Sequence, residues 1–109
     1  MHASVHTATH ADAPSHYLDS PQDITQMPLS HYIGACFVME WQSELVTADM
    51  LRSRIPSGCR RLLLKGGGSS FFTEAAAQYL IEQKVHTVGT DAWSVGPLDN
   101  EASVHCAFL

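Results

Sequence analysis

The stretch Leu62-Leu-Leu-Lys-Gly-Gly-Gly-Ser-Ser-Phe-Phe-Thr-Glu-Ala-Ala-Ala-Gln-Tyr-Leu-Ile-Glu-Gln-Lys-Val-His-Thr-Val-Gly89 decides the fold. Residues 62–64 are wholly apolar and bounded by turn signals, which predicts a strand. Thr73 can cap a helix running to about Lys84, with Glu74 near its positive end and Lys84 near its negative end. Residues 85–89 read as the next strand. Strand, helix and strand in that order make a βαβ unit, so 62–64 and 85–89 are expected to pair in parallel with a right-handed crossover. The expected fold class is therefore α/β.

Outward from that unit, residues 35–41 read as an earlier strand, followed by a loop and a short helix over 48–55 with Thr47 as its N-cap. Pro56-Ser-Gly58 stops that helix. Gly66-Gly67-Gly68 lacks the Lys-Ser/Thr ending of a phosphate loop and reads as a flexible linker. Ligands of parallel sheets collect at the carboxyl ends of strands. Asp91 and Trp93 follow such an end, so either they face a pocket or Asp91 caps a turn while Trp93 joins the core.

The chemistry is concentrated in His6-Thr-Ala-Thr-His10-Ala-Asp12-Ala-Pro-Ser-His16. Imidazole nitrogen and carboxylate oxygen are ligands that a borderline divalent ion accepts together, with a further position open for water. His6 and His10 stand four apart and could share a helical face. The β-branched Val5, Thr7 and Thr9, with Pro14 beyond, favour instead a strand end running into a loop. On a strand, residues an even number apart face one side, so His6, His10 and Asp12 can converge. His16, beyond the proline, is expected at the rim, where an imidazole moves protons.

His6-x-x-Thr9-His10-x-Asp12-x-Pro14-x-His16 resembles the His-x-Gly-Thr-His-x-Asp-x-Pro-x-His signature of the metal-dependent cyclase family. The likeness continues through Gln26-Met-Pro-Leu29 with Tyr32-Ile-Gly34, through Thr73-Glu-Ala-Ala-Ala-Gln-Tyr-Leu80, and through Val88-Gly-Thr-Asp91, Ser94-Val and Pro97-Leu-Asp99 to His105. The resemblance implies an incomplete swivelling β/β/α-type cyclase fold in a single domain over residues 1–109. It also implies His6, His10 and Asp12 as metal ligands, His105 as a second-site ligand and His16 as proton shuttle. The implied activity is hydrolysis of an amide or lactam bond by metal-activated water, as in kynurenine formamidase-like members, which act on aryl formamides. Zinc is the expected metal and manganese the alternative, with one strong site.

Ala8 stands where that signature has glycine. The family's second-metal carboxylate lies beyond its last histidine, and only Cys106, Ala107, Phe108 and Leu109 follow His105 here. Absent N-terminal strands and C-terminal portion are accordingly expected. The competing readings are a catalytically impaired metal-binding or partner-binding module and half of a split enzyme. Either exposes apolar surface, so a homo-oligomer or a complementary chain is the expected partner, beside a small-molecule substrate.

Composition narrows the field. With 109 residues the chain can bury about 60–70% of its extended surface, enough for one modest core. The formal charge of −5 and the small groups Arg52 with Arg54 and Arg60 with Arg61 lack the footprint of a nucleic-acid binder. Arg60-Arg61 reads as a solvated strand entrance. No apolar run approaches the roughly 20 residues that span a bilayer, and the beginning does not resemble a signal peptide, so the expected location is cytoplasmic with no membrane contact. Cys36, Cys59 and Cys106 form no Cys-x-x-Cys pair and are expected to be buried inert thiols. His2, His31 and His86 are expected at the surface or in ordinary hydrogen bonds.

Overall fold

A computed structural model describes residue 4 and residues 7–109. Its centre is a parallel three-stranded sheet of β1 (Phe37–Glu40), β3 (Arg61–Lys65) and β5 (Thr87–Thr90), in the order β1-β3-β5. Phe37 pairs with Leu62 and Leu62 with Val88, which fixes the register on both sides of the central strand. Helix α2 (Ala48–Arg54) connects β1 to β3, and α3 (Glu74–Glu82) connects β3 to β5. The expected βαβ unit is thus present and is preceded by a second one. Two short strands, β2 (Leu45–Val46) and β4 (Phe71–Phe72), form a separate parallel pair. A one-turn helix α1 (Leu29–Tyr32) precedes the sheet, and α4 (Glu101–Phe108) follows it.

The side-chain alternation of a strand explains how the sheet is covered. Met39, Leu62 and Leu64 are buried against Leu51 of α2, Ala76, Ala77 and Leu80 of α3, Phe72 of β4 and Val104 of α4. Leu63 and Val38, one residue out of phase, lie paired on the opposite face and are exposed. Leu62–Leu64 is therefore buried on one face only, although the sequence there is apolar throughout.

Local chemistry sets the helix ends. Thr73 Oγ1 accepts the Ala76 N–H at 3.1 Å and donates to the Val46 carbonyl, so the cap also ties α3 to β2. Thr47 occupies the N-cap position of α2, but its side chain makes no capping bond; its carbonyl accepts the Leu51 N–H. Helix α3 stops before Lys84 because Lys84 adopts φ 59°. There the Val85 N–H reaches the Leu80 carbonyl and the Lys84 N–H the Ile81 carbonyl, a Schellman closure with lysine where glycine is usual.

Several expectations are corrected. The described part of the histidine-rich segment forms no strand: residues 7–9 are a bend and Pro14–His16 a 3₁₀ turn. Ala8 has φ 59°, and a left-handed residue cannot continue an extended strand. The glycine run is a defined turn, with Gly67 at φ 67° and Gly68 at φ 82°. Trp93 is 91% exposed, so it does not join the core. Cys36 and Cys106 are exposed, and Cys59 is half-buried with its thiol donating to the Arg61 carbonyl. Arg61 is not a freely solvated residue: its guanidinium donates to the Ser30, His31 and Ala35 carbonyls, pinning the α1 segment to β3. Among the described residues no helix is long and apolar enough to cross a membrane.

Candidate metal centre

Asp12 and His105 come from distant parts of the chain. Asp12 lies just before buried Ala13 and Pro14, and Pro14 opens the 3₁₀ turn that carries His16. Proline suits that first position because its missing N–H would have no partner there and its φ is already helical. His105 sits on α4 beside Val104, which is fully buried in the core, and is itself only 6% exposed. Gly96 lets α4 approach, since a Cβ at that position would lie 3.1 Å from the Glu101 Cα and 2.9 Å from the Val104 Cβ.

These placements gather Asp12, His16 and His105 so that one ligand atom from each lies within 4.8 Å of the others. His10 joins them through Asp12. Its Nε2 stands 3.7 Å from Asp12 Oδ1, and His105 Nε2 stands 3.7 Å from Asp12 Oδ2. The carboxylate is thus flanked by an imidazole on each oxygen. His6 lies outside the described residues.

The other nitrogen of each ring decides what these contacts mean. His10 Nδ1 is 2.8 Å from the Ala8 carbonyl, and His105 Nδ1 is 3.0 Å from the Glu101 carbonyl one helical turn earlier. A carbonyl oxygen can only accept, so Nδ1 carries the proton in both rings and Nε2 of the neutral imidazole presents a lone pair. Two lone pairs then face the oxygens of a carboxylate, which also only accepts. Acceptors face one another stably only when positive charge lies between them, either a proton on each imidazole or a cation. The 3.7 Å separations exceed a direct hydrogen bond but fall within reach of two metal-ligand bonds of about 2.0–2.2 Å. The nitrogen and oxygen donors, with backbone carbonyls orienting both histidines, fit a divalent ion.

Tyr17, which the sequence reading did not single out, completes the cluster. Its ring stacks on His105 with centroids 4.6 Å apart and planes 25° apart. His16 meets Tyr17 edge-on at 4.5 Å and His105 edge-on at 5.7 Å. Partial burial, reinforced by Glu101, Cys106 and Asp12, holds the Tyr17 phenol above its ordinary pKa. The one available sequence signal is its position directly after the motif; the stack itself needs α4. Glu101 accepts the Ser94 hydroxyl at 2.9 Å.

At the carboxyl ends of β3 and β5, Asp91 accepts the Gly66 N–H at 2.9 Å and the Gly67 N–H at 3.0 Å. These bonds hold its carboxyl below the usual carboxylate range. Asp91 therefore serves as the turn partner of the glycine loop, the second of the two roles open to it. His31 and His86 stack on each other with centroids 4.8 Å apart, well removed in sequence from the motif. Burial, His31, Arg60 and Arg61 lower the His86 pKa. A cleft of about 200 Å³ is lined by Ile55, Pro56, Cys59, Tyr79 and Gln83, none of which belongs to the His/Asp cluster.

Residues 1–97 match the family described as Putative cyclase. The chain is 34% identical to a kynurenine formamidase of Erythrobacter litoralis over all of its own length and 56% of the relative's. It is 32% identical to cyclase-like protein 2 of Oryza sativa subsp. japonica, again over all of this chain and 48% of the relative. The chain thus spans about half the length of the curated relatives it matches. Among solved structures, a potential metal-dependent hydrolase with cyclase activity superposes with a TM-score of 0.82 and 26% identity, over 95% of this chain and 57% of that one. A predicted metal-dependent hydrolase from Bacillus stearothermophilus superposes with a TM-score of 0.76 at 24% identity, over 96% of this chain and 57% of that one, and supports the fold.

Proposed function

The chain belongs to the cyclase family, and from that premise we propose that it contributes a metal-dependent centre for hydrolysing an amide or lactam bond, with an aryl formamide as the model substrate. The observation that carries this reading is the carboxylate of Asp12 set between the Nε2 atoms of His10 and His105. His10 and Asp12 would hold the ion, joined by His6, whose assignment rests on the sequence signature, and His105 would be a second-site ligand beside Asp12. Zinc suits the donor set best, with manganese the alternative. A divalent ion bound there lowers the pKa of water to about 7 and polarises the carbonyl under attack.

The chain's own groups do the rest. Asp12 supplies the negative charge that retains a cation and faces both imidazoles. The Ala8 and Glu101 carbonyls keep the two Nε2 lone pairs directed at the cluster. His16 is exposed at its rim, where it would take up the proton released by the attacking water and return it to the leaving nitrogen, so that an aryl formamide and water become amine and formate.

Metal per chain, measured by mass spectrometry on protein loaded with zinc or manganese, tests the centre. His10→Ala should abolish stoichiometric binding, whereas His31→Ala, in the remote histidine pair, should leave it intact. Equal metal in wild type and His10→Ala would refute the site. His16→Ala should keep the metal and lose formamidase rate by about 10²–10⁴-fold if His16 is a shuttle. Metal binding without turnover in the wild-type chain would instead identify a binding module.

A further inference from the structure

We infer that Tyr17 is a positioning residue that sets the orientation of His105 and, through it, the affinity of the centre for its metal. This inference rests on the metal-centre reading given above. A hydrogen bond from Nδ1 to the Glu101 carbonyl fixes which nitrogen of His105 carries the proton. It does not fix the ring plane, because the imidazole can still tilt about the N–H···O direction. The Tyr17 ring, lying nearly parallel to His105 at 4.6 Å, removes that freedom by packing along one whole face. Bond and stack together leave Nε2 facing Asp12 Oδ2.

Tyr17 also follows His16 at the end of the 3₁₀ turn, and its backbone N–H closes that turn on the Pro14 carbonyl. The stack therefore ties the segment carrying Asp12 and His16 to α4, which carries His105. Its π face lies against an imidazole that gains positive character whenever it binds a cation, an arrangement that aromatic rings stabilise. Ordinary core packing does not explain Tyr17, because it is 36% exposed and absent from the buried cluster around Phe72 and Leu62. Outer-shell partners of metal-binding histidines typically govern affinity by about 10–100-fold.

Calorimetric zinc titration of the full chain tests the inference, comparing wild type with Tyr17→Phe, Tyr17→Leu and His105→Ala, with circular dichroism to show that each remains folded. Tyr17→Phe keeps the face and should bind as wild type does. Tyr17→Leu keeps bulk but loses the flat ring, and its dissociation constant should rise about 10–100-fold, approaching that of His105→Ala. Nitrogen NMR of the metal-free protein supplies a second readout: the His105 ring signals should broaden in Tyr17→Leu, where the ring is free to tilt, and stay sharp in Tyr17→Phe, with the Nδ1-protonated tautomer kept in both. Zinc binding that depends on His105 but is the same in Tyr17→Leu, with equally sharp His105 ring signals, overturns the positioning role alone. Equal affinity in wild type and His105→Ala overturns His105 as a ligand and this inference with it, while the His10→Ala comparison tests the metal-centre reading itself.

Discussion

Replacing Ala8 by glycine should stabilise the protein. Ala8 holds φ 59°, where the Cβ of an L-residue crowds its own backbone at a cost of about 1–2 kcal/mol. Glycine removes that cost but adds freedom to the unfolded chain, which returns about 0.4–1 kcal/mol. The balance is a net gain of about 0.5–1 kcal/mol, corresponding to a rise in Tm of about 2–6 °C for a domain of this size. Lys84, also at φ 59°, provides the comparison, since Lys84→Gly relieves the same strain at the end of α3 without touching the His/Asp cluster. Both variants should melt later by calorimetry. The Ala8 carbonyl receives the His10 Nδ1–H, so Ala8→Gly should also preserve zinc affinity. A lower Tm for Ala8→Gly alongside a raised one for Lys84→Gly would refute the left-handed turn at residue 8.

Other perturbations probe the frame around the centre. Gly96→Ala would drive a methyl against the α4 backbone, costing about 1–3 kcal/mol and weakening zinc binding through His105; unchanged melting and binding would show that α4 is free to shift. Phe72→Ala, at a fully buried position touching Phe108 edge-on, should cost about 3–5 kcal/mol in denaturant unfolding, and a loss under 1 kcal/mol would contradict its place in the core. Asp91 has a depressed folded-state pKa, so its stabilisation is present above the unfolded value of about 3.9 and fades as pH falls through the lower folded value. Asp91→Asn should accordingly lower Tm at neutral pH and narrow its deficit under acid; a deficit independent of pH would show that the charge is not what the Gly66 and Gly67 amides recognise.

The α/β class and the parallel pairing of 62–64 with 85–89 were legible in the sequence because each depends on local signals. Leu62–Leu64, the Thr73 cap and the apolar positions of α3 all act within one element, and a βαβ order leaves few ways to pair the strands. The family signature likewise marked His10, Asp12, His16 and His105 as one chemical group, although no local rule joins residue 105 to residue 12. What the sequence could not disclose depends on distant contacts or on unfavourable backbone states. Ala8 and Lys84 occupy left-handed conformations that their residue types disfavour, so propensity pointed to a strand at the first and a longer helix at the second. The glycine loop read as a linker because its partner, Asp91, reaches it only once β3 and β5 are side by side. Tyr17 carried no signal beyond its place after the motif because its stacking partner arrives on the last helix. Sequence therefore determined the βαβ centre of the fold and the signature that groups the candidate ligands. Tertiary structure decided their directions, since α4, packed by Val104 into the core, alone brings His105 Nε2 to the second oxygen of Asp12.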